Sequence, residues 1–309
     1  MKIGLIDVDG HNFPNLALMR IAAYYKKYGH SVEWWPGDLW HYNIVFMSKI
    51  FSNDYSKEPY EPLNVDMLIK GGSGYCISLE NGKEVFDESK NDPLPPEIEA
   101  MRPDYSIYPQ YDFAVSMTSR GCPRGCAFCH VGKKEGLKSR KVANVSDFYY
   151  GQKVIESLDP NILACVDRIE LLNQYAETGA YINYNQGLDI RLMSGDVCDI
   201  LNRTRLKNVH FAWDNPNDDL TQRFKDYAQN AKNKPHGYFG MVYVLTNFNS
   251  TIEQDLERIS ILRELNFDPF VMVYDKQHAD FKHKQMQRWC NNKFIFRSTK
   301  NFEEYKRKG

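Results

Sequence analysis

The sequence lacks any long hydrophobic run, and this absence argues against a membrane-spanning chain. No stretch of about 18 apolar residues occurs, so we expect no transmembrane helix. The opening segment, Met1 to Asp7, turns polar too early for the apolar core of a secretory signal. Together these absences predict a cytoplasmic protein that has no membrane partner.

The chain also lacks an excess of charge of either sign. Its 39 basic and 40 acidic residues leave a net charge of −1, which provides no general attraction to nucleic acid. The basic run between Lys133 and Lys141 is expected to be a solvated loop. A length of 309 residues, with 42% hydrophobic and 26% charged residues, is typical of a globular protein of about two domains. A nucleic-acid partner is therefore not indicated.

Most of the cysteines lack the spacing of metal ligands. Of the seven, four are scattered along the chain: Cys76, Cys165, Cys198 and Cys290. We expect them to be buried thiols in a reducing compartment, and they do not support a second metal cluster.

The other three cysteines, Cys122, Cys126 and Cys129, stand in the pattern C-x3-C-x2-C. Three thiolates on one short loop can hold three corners of a 4Fe–4S cluster. Because no fourth cysteine follows nearby, one iron would keep an open coordination site. The alternative is a structural zinc site that adds His130. Zinc sites usually pair their ligands as C-x2-4-C with a distant second pair, and His130 adjoins Cys129, so the spacing favours the cluster.

The cysteine loop, with Phe128 just before the third cysteine, resembles the signature of the radical S-adenosylmethionine (radical SAM) enzymes. The resemblance implies that the open iron binds the amino and carboxylate groups of S-adenosylmethionine, and that Phe128 packs near the adenine. It further implies reductive cleavage to methionine and a 5′-deoxyadenosyl radical, which abstracts hydrogen from a substrate. The electron donor would be a flavodoxin or ferredoxin. The sequence does not identify the substrate.

The first region, residues 1–105, is predicted to be a small Rossmann-like α/β domain. Short apolar runs at 3–6, 32–35, 44–47 and 67–69 indicate strands. Leu16, Met19 and Ala23 would share one face of a helix that Gly29 ends, and Gly71 to Gly74 would form a turn. Strands that alternate with a helix favour a parallel sheet.

This first region resembles a shortened form of the cobalamin-binding-type domain that precedes some radical SAM domains. The motif there is Asp-x-His-x-x-Gly, whose histidine ligates cobalt. Here Asp9 and His11 match, but Pro14 replaces the glycine. Cobalamin is therefore not favoured. A cobalamin-dependent methyltransferase on the same scaffold remains an alternative.

The second region, residues 106–280, follows a proline-rich linker and carries a repeat. A strand at 113–117 feeds the cysteine loop, and later apolar runs end in polar residues every 27 to 33 positions, at Asp159, Gln186, Asp214, Asn247 and Asp275. A strand, a helix and two loops need about that many residues. Helices are expected around Ile169, Leu172 and Ala176, and around Ile252, Leu256 and Ile259 after a Thr251–Gln254 capping box.

Six such units fit a partial (β/α)6 TIM-type barrel, as the radical SAM resemblance implies. Function would then lie at the carboxyl ends of the strands. Residues 281–309 would form a cover, whose apolar face runs from Trp289 to Phe296, and a polar tail.

The resemblance also implies which residues hold the cofactor. Where the family commonly has Gly-Gly-Glu, which binds the methionine amino group, this chain has Leu158-Asp159-Pro160-Asn161. Either Asp159 or Asn161 would replace the glutamate, although Asp-Pro-Asn is also an ordinary turn sequence.

The third strand leads into Gln186-Gly-Leu-Asp189-x-Arg191, a run that resembles one in several radical SAM groups. Arg191 would pair with the methionine carboxylate. Gln186 and Asp189 would reach the ribose or the substrate, unless Asp189 and Arg191 simply pair at the surface.

The fifth strand resembles the family's region near the adenine, with Asn247 as the candidate contact, although its second glycine and its glutamate are absent. Asp214, Tyr274 and Asp275 are candidate catalytic residues at the remaining strand ends. Two further alternatives stay open: a metal or iron–sulfur binding protein without catalysis, and a degenerate enzyme that keeps its cluster.

Overall fold

Strands and helices alternate along the chain, which folds as a mixed α/β protein with parallel sheets. The structure is a computed structural model and describes residues 1–10, 13–52, 55–80, 83–235 and 239–305. The chain divides into two units, each described separately below. Unit 1 comprises residues 1–115, 125–136 and 146–150, and unit 2 comprises residues 116–124, 137–145 and 151–309.

Unit 1 is built on a four-stranded parallel sheet in the order β2-β1-β3-β4. Its strands are β1 (Lys2–Asp7), β2 (Ser31–Trp34), β3 (Tyr42–Ser48), β4 (Val65–Gly71), β5 (Ile77–Glu80) and β6 (Lys83–Phe86). Strands β5 and β6 pair as an antiparallel hairpin. Its helices are α1 (Leu16–Lys27), α2 (Ser73–Cys76), α3 (Pro96–Glu99) and α4 (Val131–Glu135).

Helix α1 begins at the predicted place but buries a different face. Asn15 caps its first turn by accepting from the Leu18 amide, and Gly29 follows its end with φ +77°. Leu18, Met19, Ile21 and Ala22 are buried, whereas Leu16 and Ala23 are only half-buried. Arg20 is buried as well, because it pairs with Glu99 and lies over the Phe148 ring.

The turn after β4 requires glycine at two positions. A Cβ at Gly72, where φ is +103°, would lie 2.2 Å from the Lys49 carbonyl oxygen. A Cβ at Gly74 would lie 2.2 Å from the Phe51 carbonyl oxygen. The predicted turn therefore continues directly into the short helix α2, packed on the backbone of 49–51.

Unit 2 contains most of the remaining strands and helices. The strands are β7 (Ala114–Ser116, of which Ser116 opens the unit), β8 (Ser119–Arg120), β9 (Arg140–Lys141), β10 (Val154–Ser157), β11 (Tyr181–Tyr184), β12 (Leu206–Asn208), β13 (His210–Ala212), β14 (Met241–Thr246) and β15 (Asp268–Val273). The helices are α5 (Arg168–Glu177), α6 (Gly195–Arg203), α7 (Thr221–Asn230), α8 (Ile252–Glu264), α9 (Phe281–Asn291) and α10 (Lys293–Ser298).

Two sheets of unit 2 follow one another in chain order. One has the order β12-β11-β10-β7 and the other β13-β14-β15, and the pairs β10–β11, β11–β12, β13–β14 and β14–β15 are parallel. A parallel bridge between Leu188 and Phe211 joins the segment after β11 to β13. The carboxyl ends of successive strands therefore lie along one edge.

The helices of unit 2 pack against one face of these strands. Tyr184 on β11 contacts Tyr175 on α5, and Phe211 on β13 contacts Phe224 on α7. Val271 on β15 packs with Ile259 of α8 and with α9 residues. Because side chains alternate along a strand, the residues between these point to the opposite face.

The predicted face of α8 is confirmed, since Ile252, Leu256 and Ile259 pack in one core cluster, whereas the face of α5 differs from the periodicity prediction. On α5 the buried residues are Leu171, Leu172 and Tyr175, whereas Ile169 and Ala176 are half-buried. The C-terminal segment packs by Met286, Trp289 and Phe296 against β15 and α8. Among the described residues, every helix is too short or too polar to cross a bilayer.

Candidate functional site

The cysteine loop presents thiols that differ from the rest of the chain in exposure. None of the seven cysteines forms a disulfide; Cys122, Cys126 and Cys129 are half-buried, whereas the other four are buried. Burial raises the pKa of the thiols of Cys76, Cys165, Cys198 and Cys290, the last to about 12. The loop cysteines are therefore the most accessible of the seven thiols.

The second half of the loop belongs to unit 1. The Cys129 amide donates to the Cys126 carbonyl oxygen at 2.9 Å, which closes a turn, and Phe128 within it is half-buried. His130 lies 3.5 Å from Glu84 and stacks on Phe86 at 5.7 Å. These contacts direct His130 to the β5–β6 hairpin, away from a role as fourth zinc ligand.

The first half of the loop belongs to unit 2, where Cys122 meets the end of β10. Asn161 donates from Nδ2 to Cys122 Sγ at 3.5 Å and to Asp189 Oδ2 at 3.5 Å. Its carbonyl oxygen Oδ1 is buried and has no hydrogen-bond partner, and the residue is 5% exposed. Buried acceptors are usually paired in folded proteins, so this oxygen beside Cys122 is a candidate contact for a ligand N–H group.

Asp159, two residues earlier, is fully engaged within the protein. Its carboxylate accepts from Thr118 Oγ1, both the amide and the hydroxyl of Ser119, Ser157 Oγ and the Tyr175 hydroxyl, at 2.5–2.9 Å. The residue is 4% exposed. Five donors occupy the acceptor capacity of one carboxylate, so Asp159 joins the start of the loop to β10 and α5.

Asp189 lies at the centre of an ion-pair network. Arg124, from the cysteine loop, donates to its Oδ2 at 2.8 Å, and Arg191 donates to its Oδ1 at 2.6 Å. Arg191 also reaches Asp218 at 2.8 Å. Burial would raise the pKa of Asp189, but the hydrogen bonds from both arginines outweigh it and hold that pKa below its ordinary value.

The structure thus brings together four of the predicted site residues: Cys122, Asn161, Asp189 and Arg191. Gln186 lies exposed on the turn that follows β11. Asn247, with φ +62°, donates from Nδ2 to the Tyr274 carbonyl oxygen at 2.8 Å. Its side-chain amide therefore contacts the residue that follows β15.

The catalytic candidates lie at the ends of β13 and β15. Asp214 accepts from the Leu245 amide at 3.2 Å, and burial raises its pKa to about 6. Tyr274 packs edge-on against Phe248, and Asp275 pairs with His278 at 2.7 Å. Arg258, which is buried, donates to the carbonyl oxygens of Trp213 and Leu245 and ties the β13 and β14 ends together.

Asp9, the aspartate of the cobalamin-type motif in the first region, makes structural contacts within unit 1. Asp9 is buried and accepts from the amides of Ile50 and Phe51 and from Ser56 Oγ, which ties the loop after β1 to the loop after β3. His11 lies outside the described residues. These contacts give Asp9 a structural role in unit 1.

Two members of the network around Asp189 were absent from the sequence prediction. Arg124 stands inside the cysteine loop, and Asp218 lies in the polar segment after β13. A charged residue placed between two cysteines of the C-x3-C-x2-C pattern is the signal that could have identified Arg124. No comparable signal marks Asp218, because the segment around it is uniformly polar.

The donor chemistry of the loop suits iron–sulfur ligation, because it offers three half-buried cysteine side chains, and Asn161, whose amide oxygen has no hydrogen-bond partner, contacts Cys122. Within the described ranges, no group of three or more His, Cys, Asp or Glu side chains is placed to hold a metal ion. The case for a cluster therefore depends on spacing and thiol exposure. No model of a known protein family matches this chain, and no curated protein matches it significantly.

Proposed function

We propose that this chain is a radical SAM enzyme whose 4Fe–4S cluster is held by Cys122, Cys126 and Cys129. The C-x3-C-x2-C spacing carries the proposal, because it provides three thiolate ligands and no fourth. The half-buried state of these three cysteines, against the burial of the other four, supports the same assignment. Such a cluster, when bound and reduced, supplies the electron that cleaves S-adenosylmethionine into methionine and a hydrogen-abstracting 5′-deoxyadenosyl radical.

Asn161 is the residue that we assign to the methionine amino group. Its Oδ1 is a buried acceptor without a donor, and its Nδ2 already contacts Cys122. An ammonium group is a donor with three hydrogens and would satisfy this oxygen. Asp159 stands near it in sequence but has no acceptor capacity left, so it holds the loop and does not bind the cofactor.

Arg191 and Arg124 supply the guanidinium N–H donors of the site, while Asp189 and Asp218 balance their charge. Each donates to Asp189, and Arg191 also pairs with Asp218, so their guanidinium planes are fixed before any ligand arrives. A fixed fork of N–H donors suits the methionine carboxylate. Asp189, held as a carboxylate by both arginines, orients them.

The fold is consistent with this function. The seven strands of the two unit 2 sheets follow one another in chain order, and the candidate residues follow their carboxyl ends. We propose that they form the partial barrel of the radical SAM family, after a Rossmann-like sheet in unit 1. The electron would come from a cytoplasmic flavodoxin or ferredoxin.

The proposal is tested by anaerobic reconstitution with iron and sulfide, followed by reduction with dithionite. We expect about four irons per chain and a 4Fe–4S electron paramagnetic resonance signal that shifts on addition of S-adenosylmethionine, with 5′-deoxyadenosine formed. About one tightly bound zinc, with no cluster and no cleavage, would overturn it.

Matched variants assign the residues. Cys122→Ala should lose the cluster, whereas Cys198→Ala, which removes a buried thiol, should keep it. Asn161→Leu should keep the iron but bind S-adenosylmethionine at least about tenfold more weakly, since it leaves the ammonium without its acceptor. An Asn161→Leu protein with unchanged affinity would remove Asn161 from the site.

A further inference from the structure

A row of polar and aromatic side chains crosses unit 2 on the sheet face opposite to the helices. Its members, here termed the inner strip, are Glu156, Asn183, Asn185, Lys207, His210 and Tyr243, contributed by β10, the β11 segment, β12, β13 and β14 in turn. Their strand neighbours Tyr184 and Phe211 pack on α5 and α7. Alternation along the strands therefore places the inner strip on the other face.

The charges of the inner strip are balanced among its own members. Glu156, 5% exposed, accepts from Asn183 Nδ2 at 2.7 Å, Asn185 Nδ2 at 2.6 Å and Lys207 Nζ at 2.7 Å. The negative charge of the Glu156 carboxylate is balanced by the positive charge of the Lys207 ammonium group. The strip therefore offers no surplus charge to a phosphate, a carboxylate or a cation.

What the strip leaves open is acceptor capacity. Asn183 is 9% exposed, and its Oδ1 is buried without a hydrogen-bond partner, because its amide nitrogen serves Glu156 and Asn185. His210 Nδ1 lies 3.2 Å from the Tyr184 carbonyl oxygen. A carbonyl only accepts, so Nδ1 carries the proton and Nε2 is an acceptor in the neutral ring. Burial lowers the pKa of His210 and favours that neutral form.

The strip also offers a flat surface. The His210 and Tyr243 rings stack with centroids 5.6 Å apart and planes 15° apart, and Phe270 meets Tyr243 edge-on. Tyr243 and Phe270 are half-buried, so part of this surface is accessible. The C–H face of a saturated ring, or a planar base, packs well on such a platform.

From this combination we infer that the inner strip binds the substrate, and that the bound group is a neutral, hydroxyl-rich ring. Hydroxyl groups would donate to Asn183 Oδ1 and His210 Nε2, and the ring would cover the His210–Tyr243 pair. Charge balance excludes recognition through a phosphate or carboxylate. A free sugar and the ribose of a nucleoside share this chemistry.

The inference rests on the proposed function for its consequence: such a ring carries C–H bonds from which hydrogen can be abstracted. Its binding test, however, needs neither cluster nor S-adenosylmethionine. Saturation-transfer-difference NMR on the full iron-free chain would use D-glucose, D-ribose, uridine and ribose 5-phosphate as probes. We expect transfer to ring protons of at least one hydroxyl-rich probe, with no gain from the phosphate.

Two variants and one control locate the binding. His210→Phe keeps the stacked platform but removes the acceptor, and Asn183→Leu removes the second acceptor. Each should weaken binding about 2- to 10-fold, the worth of one hydrogen bond. His41→Phe, an exposed histidine in unit 1, should change nothing. Because His210→Phe keeps an aromatic ring stacked on Tyr243, it remains informative if Asn183→Leu fails to fold.

The outcomes separate the hypotheses. Transfer to uridine over glucose identifies a nucleoside, and the reverse identifies a free sugar. No transfer to any probe, equal transfer in His210→Phe, or tighter binding of ribose 5-phosphate than of ribose overturns the inference. The reconstitution experiment tests the proposed function independently. If 5′-deoxyadenosine forms but no probe binds, only the binding role of the inner strip is rejected. If a probe binds but S-adenosylmethionine is not cleaved, only the enzyme class is rejected.

Discussion

Asp159 and Asn161 show how far two neighbouring polar residues can differ in role. Asp159 satisfies five donors from three chain segments, whereas Asn161 keeps a buried acceptor open. The first arrangement stabilises the fold, and the second is the basis of the ligand contact that we propose for Asn161.

Replacing Asp159 should therefore be costly to stability. Asp159→Ala would leave buried hydroxyls and an amide without an acceptor, and we expect a loss of about 3–5 kcal/mol. Asn161→Ala removes only two long contacts and should cost about 1 kcal/mol. Urea unfolding of the iron-free chain measures both, and equal losses would contradict the distinction.

Asp214 should make stability depend on pH. Burial raises its pKa from 3.8 to about 6, so between these values the folded chain holds a proton that the unfolded chain has lost. The contribution is present below about pH 4 and is lost as the pH rises through 6, by up to about 3 kcal/mol.

Asp214→Asn should abolish this contribution, because the amide oxygen still accepts from Leu245 but does not titrate. On going from pH 4 to pH 8, the variant should therefore lose up to about 3 kcal/mol less stability than the wild type, as measured by urea unfolding at both values. Asp219→Asn is the control, since hydrogen bonds from Thr221 lower the pKa of that exposed aspartate. An unchanged pH difference in Asp214→Asn would remove Asp214 as its source.

At the scale of elements, helix α8 begins with hydrogen bonds between residues only three positions apart in sequence. Thr251 Oγ1 accepts from the Gln254 amide, and Gln254 Oε1 accepts from the Thr251 amide, which is the capping box predicted from sequence. Thr251→Ala should cost about 1 kcal/mol, whereas Thr251→Ser, which keeps the hydroxyl, should cost less.

A double-variant cycle with Gln254→Ala checks that the two residues act together. Because each donor–acceptor pair closes the same turn, the two losses should not add, and the coupling should be about 0.5 kcal/mol or more. Additive losses would mean that the two caps are independent.

Apolar runs located the strands well, because a run of buried side chains is a local property. The buried faces of the helices were harder to predict from the sequence. Periodicity placed Ile169, Leu172 and Ala176 on one face of α5. The buried face instead includes Tyr175, because its hydroxyl contacts Ser116 and Asp159. In α8, Asp255 and Arg258 are both buried, because the guanidinium ties two strand ends. Such partners come from distant segments.

The candidate site divides in the same way. The cysteine spacing was readable, as was the polar character of the strand ends. The inner strip was not, because Glu156 and Asn183 meet only through the register of β10 on β11, which places them opposite one another. A signal did exist: polar residues alternate with apolar ones in Ile182-Asn183-Tyr184-Asn185, whereas a parallel strand covered on both faces is usually apolar throughout.

At the scale of the whole molecule, thiol reactivity should divide the seven cysteines into two classes. In the iron-free chain, Cys122, Cys126 and Cys129 should react rapidly with a disulfide reagent, because their side chains are partly exposed to solvent. The other four are buried, with raised pKa values, and should react only when the chain opens.

Stopped-flow labelling counts these classes directly. Three rapid thiols should be found, rising to seven in denaturant, and none should react rapidly after reconstitution with iron and sulfide. A fourth rapid thiol would contradict the burial of one of the scattered cysteines. Three rapid thiols that persist in the reconstituted protein would contradict their role as ligands.

The glycines around α2 bear on how this sequence can vary in nature. Gly72 and Gly74 lie against the backbone of 49–51, where any side chain would collide with a carbonyl oxygen, whereas a Cβ at Gly29, Gly136, Gly151 or Gly179 would meet no atom within 4 Å. Evolution can therefore replace the second group at the cost of backbone strain alone, most readily with asparagine, which tolerates positive φ. Among diverging descendants of this gene, Gly72 and Gly74 should persist after most of the other glycines have drifted.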